Sequence, residues 1–203
     1  MNFDIVMCGI PRSGSTLVWQ ILQAVFPKSK VLKTHPDLWE ADGSTVVTSI
    51  RNPHDVAASL LRVRMSRYKI PKEITDDDII TVLRRTQMNF NNLKEILIGP
   101  HAPVLRYENF YNDYNIIFKM IKEYFNVEIP IEIQFQISCK FSVIENKKRA
   151  DALKDFNEVD EYQIHGDHLG HITPGYWKYY FPEKYILCVK NECNLIAKEW
   201  NYE

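Results

Sequence analysis

The sequence holds only four cysteines, Cys8, Cys139, Cys188 and Cys193, with no C-x-x-C pair and no histidine beside them at metal-ligand spacing. That pattern argues against a zinc site and makes reduced thiols the expectation. No apolar run approaches the roughly eighteen residues that a membrane-spanning helix needs. No basic-then-apolar leader precedes Phe3, so a soluble, cytoplasmic protein is expected. There is no excess of charge: 25 basic against 26 acidic side chains leave a net −1, which implies neither a nucleic-acid coat nor attraction to an anionic membrane. Any anion site must therefore be local. No internal repeat interrupts the chain, and its 203 residues, 45% hydrophobic and 25% charged, suit a single domain spanning 1–203.

What is present starts at once. An apolar run from Phe3 to Cys8 empties into Gly9-Ile10-Pro11-Arg12-Ser13-Gly14-Ser15-Thr16 and then a helical pattern from Leu17 to Phe26. Strand, tight loop and helix in that order turn successive N–H groups and a helix N-terminus into one hollow, which suits a phosphate or sulfate. A structural turn is the plain alternative. The spacing G-x-x-x-x-G is that of a nucleotide-binding loop, but Ser15 stands where its lysine belongs. A cation appears instead within the loop, as Arg12. Without the lysine that reaches β- and γ-phosphates, the loop points to a shorter or differently capped nucleotide.

Further along, Lys30 to Pro36 reads as a strand with Lys33 and His35 at its carboxyl end, and Ser44 to Ile50 as a buried parallel strand ending at Arg51. Ligands of open α/β sheets collect at such ends. Pro53 and Asp55 open a helix carrying Ser59, whose continuation through Arg62, Arg64 and Arg67 reads as a solvated basic face. Thr75 with Asp76, Asp77 and Asp78 opens a long amphipathic helix to Ile98, and Ala102 to Tyr107 is another strand. Tyr114, Ile117, Ile121 and Phe125 share a helix face. The polar 145–170 stretch reads as a mobile loop or lid. Gly170 to Lys178 is a second glycine-containing loop, and Pro182 opens a last helix with Ile186, Val189, Cys193, Ile196 and Trp200 in one stripe. The expected fold is α/β: a three-layer α/β/α domain with a central, mainly parallel sheet and P-loop NTPase-like topology.

Three of these segments, in this order, resemble the sulfotransferases that use 3′-phosphoadenosine 5′-phosphosulfate (PAPS). Pro11 to Thr16 matches the family's P-[KR]-[ST]-G-[ST]-[ST] loop, and Arg51 to Ser59 matches every fixed position of its R-N-P-x-D-x-x-x-S element. Lys33-Thr34-His35 looks like the family's K-[ST]-H segment, and Tyr107-Glu108 like its Y-E-[DN] element. The resemblance implies sulfuryl transfer from PAPS to a hydroxyl or amine of a small-molecule, glycan or lipid acceptor, without a metal. It implies that Arg12, Ser13, Gly14, Ser15 and Thr16 hold the 5′-phosphosulfate and that Arg51 with Ser59 holds the 3′-phosphate, gripping the nucleotide at opposite ends. His35 becomes the general base, with Lys33 and Arg12 stabilising the leaving 5′-phosphate. For Tyr107, core packing and contact with adenosine both remain open.

The sequence also departs from that family. Leu17 replaces a tryptophan that stacks on adenine, with Trp19 two residues later. Aligning Gly175 and Trp177-Lys178 with the R-K-G-x-x-G-x-W-K segment of the cytosolic members leaves Gly170, His171 and Ile172 in place of its basic clamp. His171 or Lys178 is then the candidate substitute. Two other classes compete: a P-loop kinase or NTPase-like phosphotransferase, and a non-catalytic nucleotide-binding relative.

Overall fold

A computed structural model describes residues 4–38, 44–67, 73–97, 102–166, 169–170 and 173–202. In chain order the elements are β1 (Ile5–Cys8), α1 (Ser15–Val25), β2 (Val31–Thr34), a 3-10 turn (Pro36–Leu38), β3 (Thr45–Ile50), α2 (Pro53–Arg67) and α3 (Asp76–Leu97). They continue with β4 (Val104–Arg106), α4 (Tyr107–Phe110), α5 (Asn115–Phe125), α6 (Ile131–Lys140), α7 (Val143–Asp151), α8 (Trp177–Tyr180) and α9 (Glu183–Glu199).

The four strands are all parallel, in the order β2-β1-β3-β4, with Ile5 opposite both Val31 and Thr45 and with Ile50 opposite Arg106. Alternation along β1 sends Ile5 and Met7 to one face and Val6 and Cys8 to the other. The first face packs against α1, α4 and α5, through Val18, Leu22, Phe110 and Ile117. Ile96 of α3 covers Val6 and Cys8, while Ile50 joins α2, α3 and α9 in a core containing Leu61, Phe90 and Val189. This is the expected three-layer arrangement. From β1 the chain passes to β2 on one side and later to β3 on the other, so their carboxyl ends border a crevice where ligands of such sheets bind.

Local chemistry sets the helix starts that matter here. Thr75 and Asp78 form a reciprocal cap: Asp78 N donates to Thr75 Oγ1 (3.3 Å), and Thr75 N donates to Asp78 Oδ2 (3.1 Å). Arg64 Nε reaches Asp78 Oδ1 at 2.7 Å, fastening α2 to α3. Ser142 caps α7 by accepting from Glu145 N at 3.3 Å.

That cap corrects one sequence expectation. The part of the 145–170 stretch up to Asp151 is helix, because the charges that suggested a loop lie on the outside and pair along it, Lys148 with Glu145 at 2.6 Å among them. Its inner face is polar too. Asn146 is buried and donates to Gln20 Oε1 of α1 (3.0 Å) and to Phe141 O (3.1 Å). Gln20 donates in turn to Tyr162 O (3.0 Å). Beyond α7 the chain folds back on itself through a bridge between Val159 and His165, and Asp160 Oδ1 accepts from Tyr162 N and Ile164 N. Phe156, Ile164, His165, Leu169 and Gly170 thus come to lie over the strand ends as a roof.

Candidate active site

A cavity of about 340 Å³ opens at the crevice between β1 and β3. Its floor is the loop from Pro11 to Thr16, its sides carry Lys33 and His35 from the end of β2 and Arg51 and Ser59 from the end of β3 and α2, and Phe156, Ile164 and Leu169 roof it. The sequence placed these ionisable residues at three strand ends; the topology brings them to one space.

The floor is built by two left-handed residues. Gly14 has φ 76°, and a Cβ there would also come within 2.8 Å of Tyr107 and 2.9 Å of Phe110. Arg12 has φ 71°, a conformation that costs a non-glycine residue on the order of 1–2 kcal/mol. With the loop turned this way α1 begins at Ser15 with no side-chain cap, so its first N–H groups lack acceptors within the helix. Together with the helix dipole they favour an anion.

Cations surround that helix end. Lys33 Nζ donates to Thr16 Oγ1 at 2.9 Å. Burial, then the charge of Arg12, pushes the Lys33 ammonium down to about 8. Arg12 Nε donates to Ser59 Oγ at 2.9 Å, and burial, then Arg62 and Arg51, push its guanidinium down to about 9, which still leaves it charged at neutral pH. Arg51 is 5% exposed, lies 4.3 Å above the ring of Tyr107, and has only a long 3.9 Å approach from its Nε to Asp55; that Nε makes no hydrogen bond. Asp55 is committed elsewhere, accepting from Gly175 N (2.7 Å) and Trp177 N (3.1 Å). Like charges are crowded at a helix N-terminus, so the residues present fit an anion.

His35 is placed for a different task. Its Nδ1 lies 2.8 Å from the carbonyl of Gly9, which can only accept, so Nδ1 carries the proton and the neutral ring keeps its lone pair on Nε2. Burial holds the imidazole below the usual histidine value, with Lys33 and Arg12 acting in the same sense and the Gly9 bond opposing them. A neutral base therefore faces a cationic cavity.

Not every residue singled out in the sequence lines this space. Ser13 is fully buried and turned inward, its Oγ donating to Ile10 O (2.6 Å) and lying 2.6 Å from Ser49 Oγ, while its N–H is taken by Ile10 O. It braces the loop from below. Lys178 is exposed on α8 and borders neither this cavity nor the small recess beside it. His171 lies outside the described residues. Arg12 and Ser59, expected at opposite ends of a ligand, touch each other, because the left-handed backbone at Arg12 directs its side chain toward α2. Tyr107 packs in the core and also lines the cavity; Trp19 is buried, its Nε1 donating to Val31 O (3.1 Å), and Leu17 takes the place at the cavity wall.

Other residues emerge only in three dimensions. Arg62 is not on a solvated face. It lines a recess of about 20 Å³ with Arg51, Asp55, Ser59, Tyr176 and Tyr180, and a spacing of three from Ser59 on one helix was the available signal. Arg85 of α3, Tyr111, Tyr114 and Asn146 complete the larger cavity. Asn52 N donates to Glu108 Oε1 (2.8 Å), so the Tyr107-Glu108 element braces the turn after β3. Among the described residues no group of three or more His, Cys, Asp or Glu side chains is arranged to hold a metal, and no helix is long and apolar enough to cross a membrane.

The sequence matches no protein-family model and no curated protein sequence. Its likeness to known proteins lies in the backbone. Retinol dehydratase in complex with androsterone and the inactive cofactor PAP superposes with a TM-score of 0.71 at 16% identity, over 96% of this chain and 80% of that one. A mouse sulfotransferase complexed with PAP gives 0.69 at 14% identity, over 94% and 82%. A sulfotransferase domain from the curacin biosynthetic pathway gives 0.59 at 15% identity, over 100% and 99%. With its parallel four-stranded sheet flanked by helices, the chain has the P-loop-like α/β fold of the sulfotransferases.

Proposed function

We propose that this protein is a sulfotransferase that moves a sulfuryl group from PAPS to a hydroxyl-bearing acceptor, with His35 as general base. One observation carries the reading: Arg12, Lys33, His35, Arg51 and Ser59, which the sequence resemblance singled out, border a single cavity at the N-terminus of α1. Two structural neighbours were solved with PAP, the nucleotide this cavity's cations suit.

When bound, the donor supplies an electron-poor sulfuryl group on a phosphate leaving group. Lys33 and the N–H groups of Gly14 to Thr16 concentrate positive charge where the bridging oxygen becomes negative, and their fixed positions avoid reorganisation during reaction. Arg12 connects that end to the Arg51 and Ser59 end. His35 Nε2 takes the acceptor's proton as the new O–S bond forms, a role its neutral state allows.

The acceptor's side of the cavity is the one next to His35. There α3 packs on the 3-10 turn that follows His35, and among the residues lining the cavity Leu60, Val63, Phe156 and Leu169 are apolar. These walls suit a small molecule with an apolar body, in keeping with the androsterone held by retinol dehydratase. The test is transfer of label from sulfur-labelled PAPS to a panel of phenols, sterols and other alcohols. Labelled product that disappears in His35→Ala supports the reading; label that never leaves the donor, with the whole panel, opposes it.

A further inference from the structure

We infer that Arg62 is the third cation of the 3′-phosphate site and sets the choice of a nucleotide phosphorylated at both 3′ and 5′ positions over one phosphorylated at 5′ alone. The inference rests on the sulfotransferase reading and deepens it, because it names a nucleotide-selecting residue outside the matched motifs.

Four observations converge on Arg62. It follows Ser59 by three residues, so the two share a face of α2. It borders the same recess as Arg51 and Ser59, and that recess meets the main cavity through those two residues. Among charged neighbours it has the strongest effect on Arg12, ahead of Arg51, and Arg12 Nε donates to Ser59 Oγ. Finally, Gly170 of the roof lies directly on the Arg62 guanidinium: a Cβ at Gly170 would be 2.4 Å from Arg62 Nε and 2.8 Å from its Cζ.

These facts explain a gap left by the sequence. Where the cytosolic sulfotransferases carry a basic loop, this chain has a glycine, and the cation comes from the helix beneath it instead. A side chain at position 170 would displace that cation. Asp55 also lines the recess, 3.9 Å from Arg51 Nε, and it accepts from Gly175 N and Trp177 N, so among the described lining residues one carboxylate stands beside Arg51 and Arg62 and fastens the loop to them. An anion of more than one charge entering beside Arg12, Arg51 and Arg62 would offset the repulsion among these like charges.

The experiment is calorimetric titration of the full chain with adenosine 3′,5′-bisphosphate and, separately, with adenosine 5′-phosphate. Arg62→Ala is expected to weaken the bisphosphate by about 10- to 100-fold, the size of a lost hydrogen bond to a charged group. Its affinity for the 5′-phosphate should stay within about threefold, since that group lies farther off and is screened. Arg62→Lys should restore part of the bisphosphate affinity, and Gly170→Ala should weaken the bisphosphate selectively while keeping Arg62. Bisphosphate affinity unchanged in Arg62→Ala, or equal losses for both nucleotides, overturns the assignment. A wild-type chain that does not prefer the bisphosphate fails earlier and removes the sulfotransferase reading itself.

Discussion

The two ends of the cavity are built from the same kinds of side chain but hold them differently. At the Lys33 and His35 end, each polar group has a defined local partner, Thr16 Oγ1 for the amine and Gly9 O for the imidazole, and the base is kept neutral. At the other end Arg51 and Arg62 line one recess with Ser59, and Arg51 has a buried Nε that makes no hydrogen bond. The first arrangement sets protonation states and orientation, which belongs to chemistry. The second gathers guanidinium groups beside a hydroxyl, which belongs to binding an anion.

Substitutions at the two ends should therefore separate turnover from affinity. His35→Ala is expected to lower kcat by about 10²- to 10⁴-fold, as loss of a general base does, while the dissociation constant for adenosine 3′,5′-bisphosphate stays within about twofold. Equal losses in both quantities would blur the division. Arg51→Ala should act the other way, weakening the bisphosphate by about 2–5 kcal/mol, since it removes a buried charged partner. A titration comparing the two variants reads this directly.

Asp55→Ala probes what holds the second end in shape. It leaves the N–H groups of Gly175 and Trp177 without their acceptor and should lower unfolding stability by about 1–3 kcal/mol in urea melts. A variant as stable as wild type would show that the 173–177 segment is fastened by the stack of Trp177 on His54 instead. A smaller effect comes from pH. In the empty site Lys33 is held down to about 8, and an anion favours its charged form, so binding above that value must take up a proton. Bisphosphate affinity should fall by up to about tenfold per pH unit as pH rises beyond 8, and Lys33→Met should flatten that limb. On the acid side, the depressed pKa of His35 keeps the base neutral to lower pH than a free imidazole, so the acid limb of kcat/KM should lie below the ordinary histidine value of about 6.5. The least effect is expected for Lys178→Ala, exposed on α8, at within about 0.5 kcal/mol in binding or stability.

The difference between the ends also decided what could be read in advance. The turns after β1 and β3 were legible because each encloses its chemistry within nine or so consecutive residues, with glycine and proline fixing the backbone, and because β-branched and apolar runs marked the buried strands. The final helix was legible from the Ile186-to-Trp200 stripe, which packs as expected, partly or fully buried. The roof was not. Phe156, Ile164, Leu169 and Asn146 come from a segment whose placement depends on contacts with α1 far away in sequence, such as the Asn146 to Gln20 bond, and carry no period. Arg62 was misjudged because a basic helix face looks the same in sequence whether it meets solvent or the underside of a glycine loop. Ser13 shows the converse: the turn directs its hydroxyl onto Ser49, a contact that the loop pattern alone does not reveal.

The most direct test is a titration of the wild-type chain with adenosine 3′,5′-bisphosphate alongside ATP with magnesium. Saturable binding of the bisphosphate, much tighter than that of ATP and weakened by Arg51→Ala, is the predicted result. Preference for ATP with magnesium, or bisphosphate binding indifferent to Arg51, contradicts it.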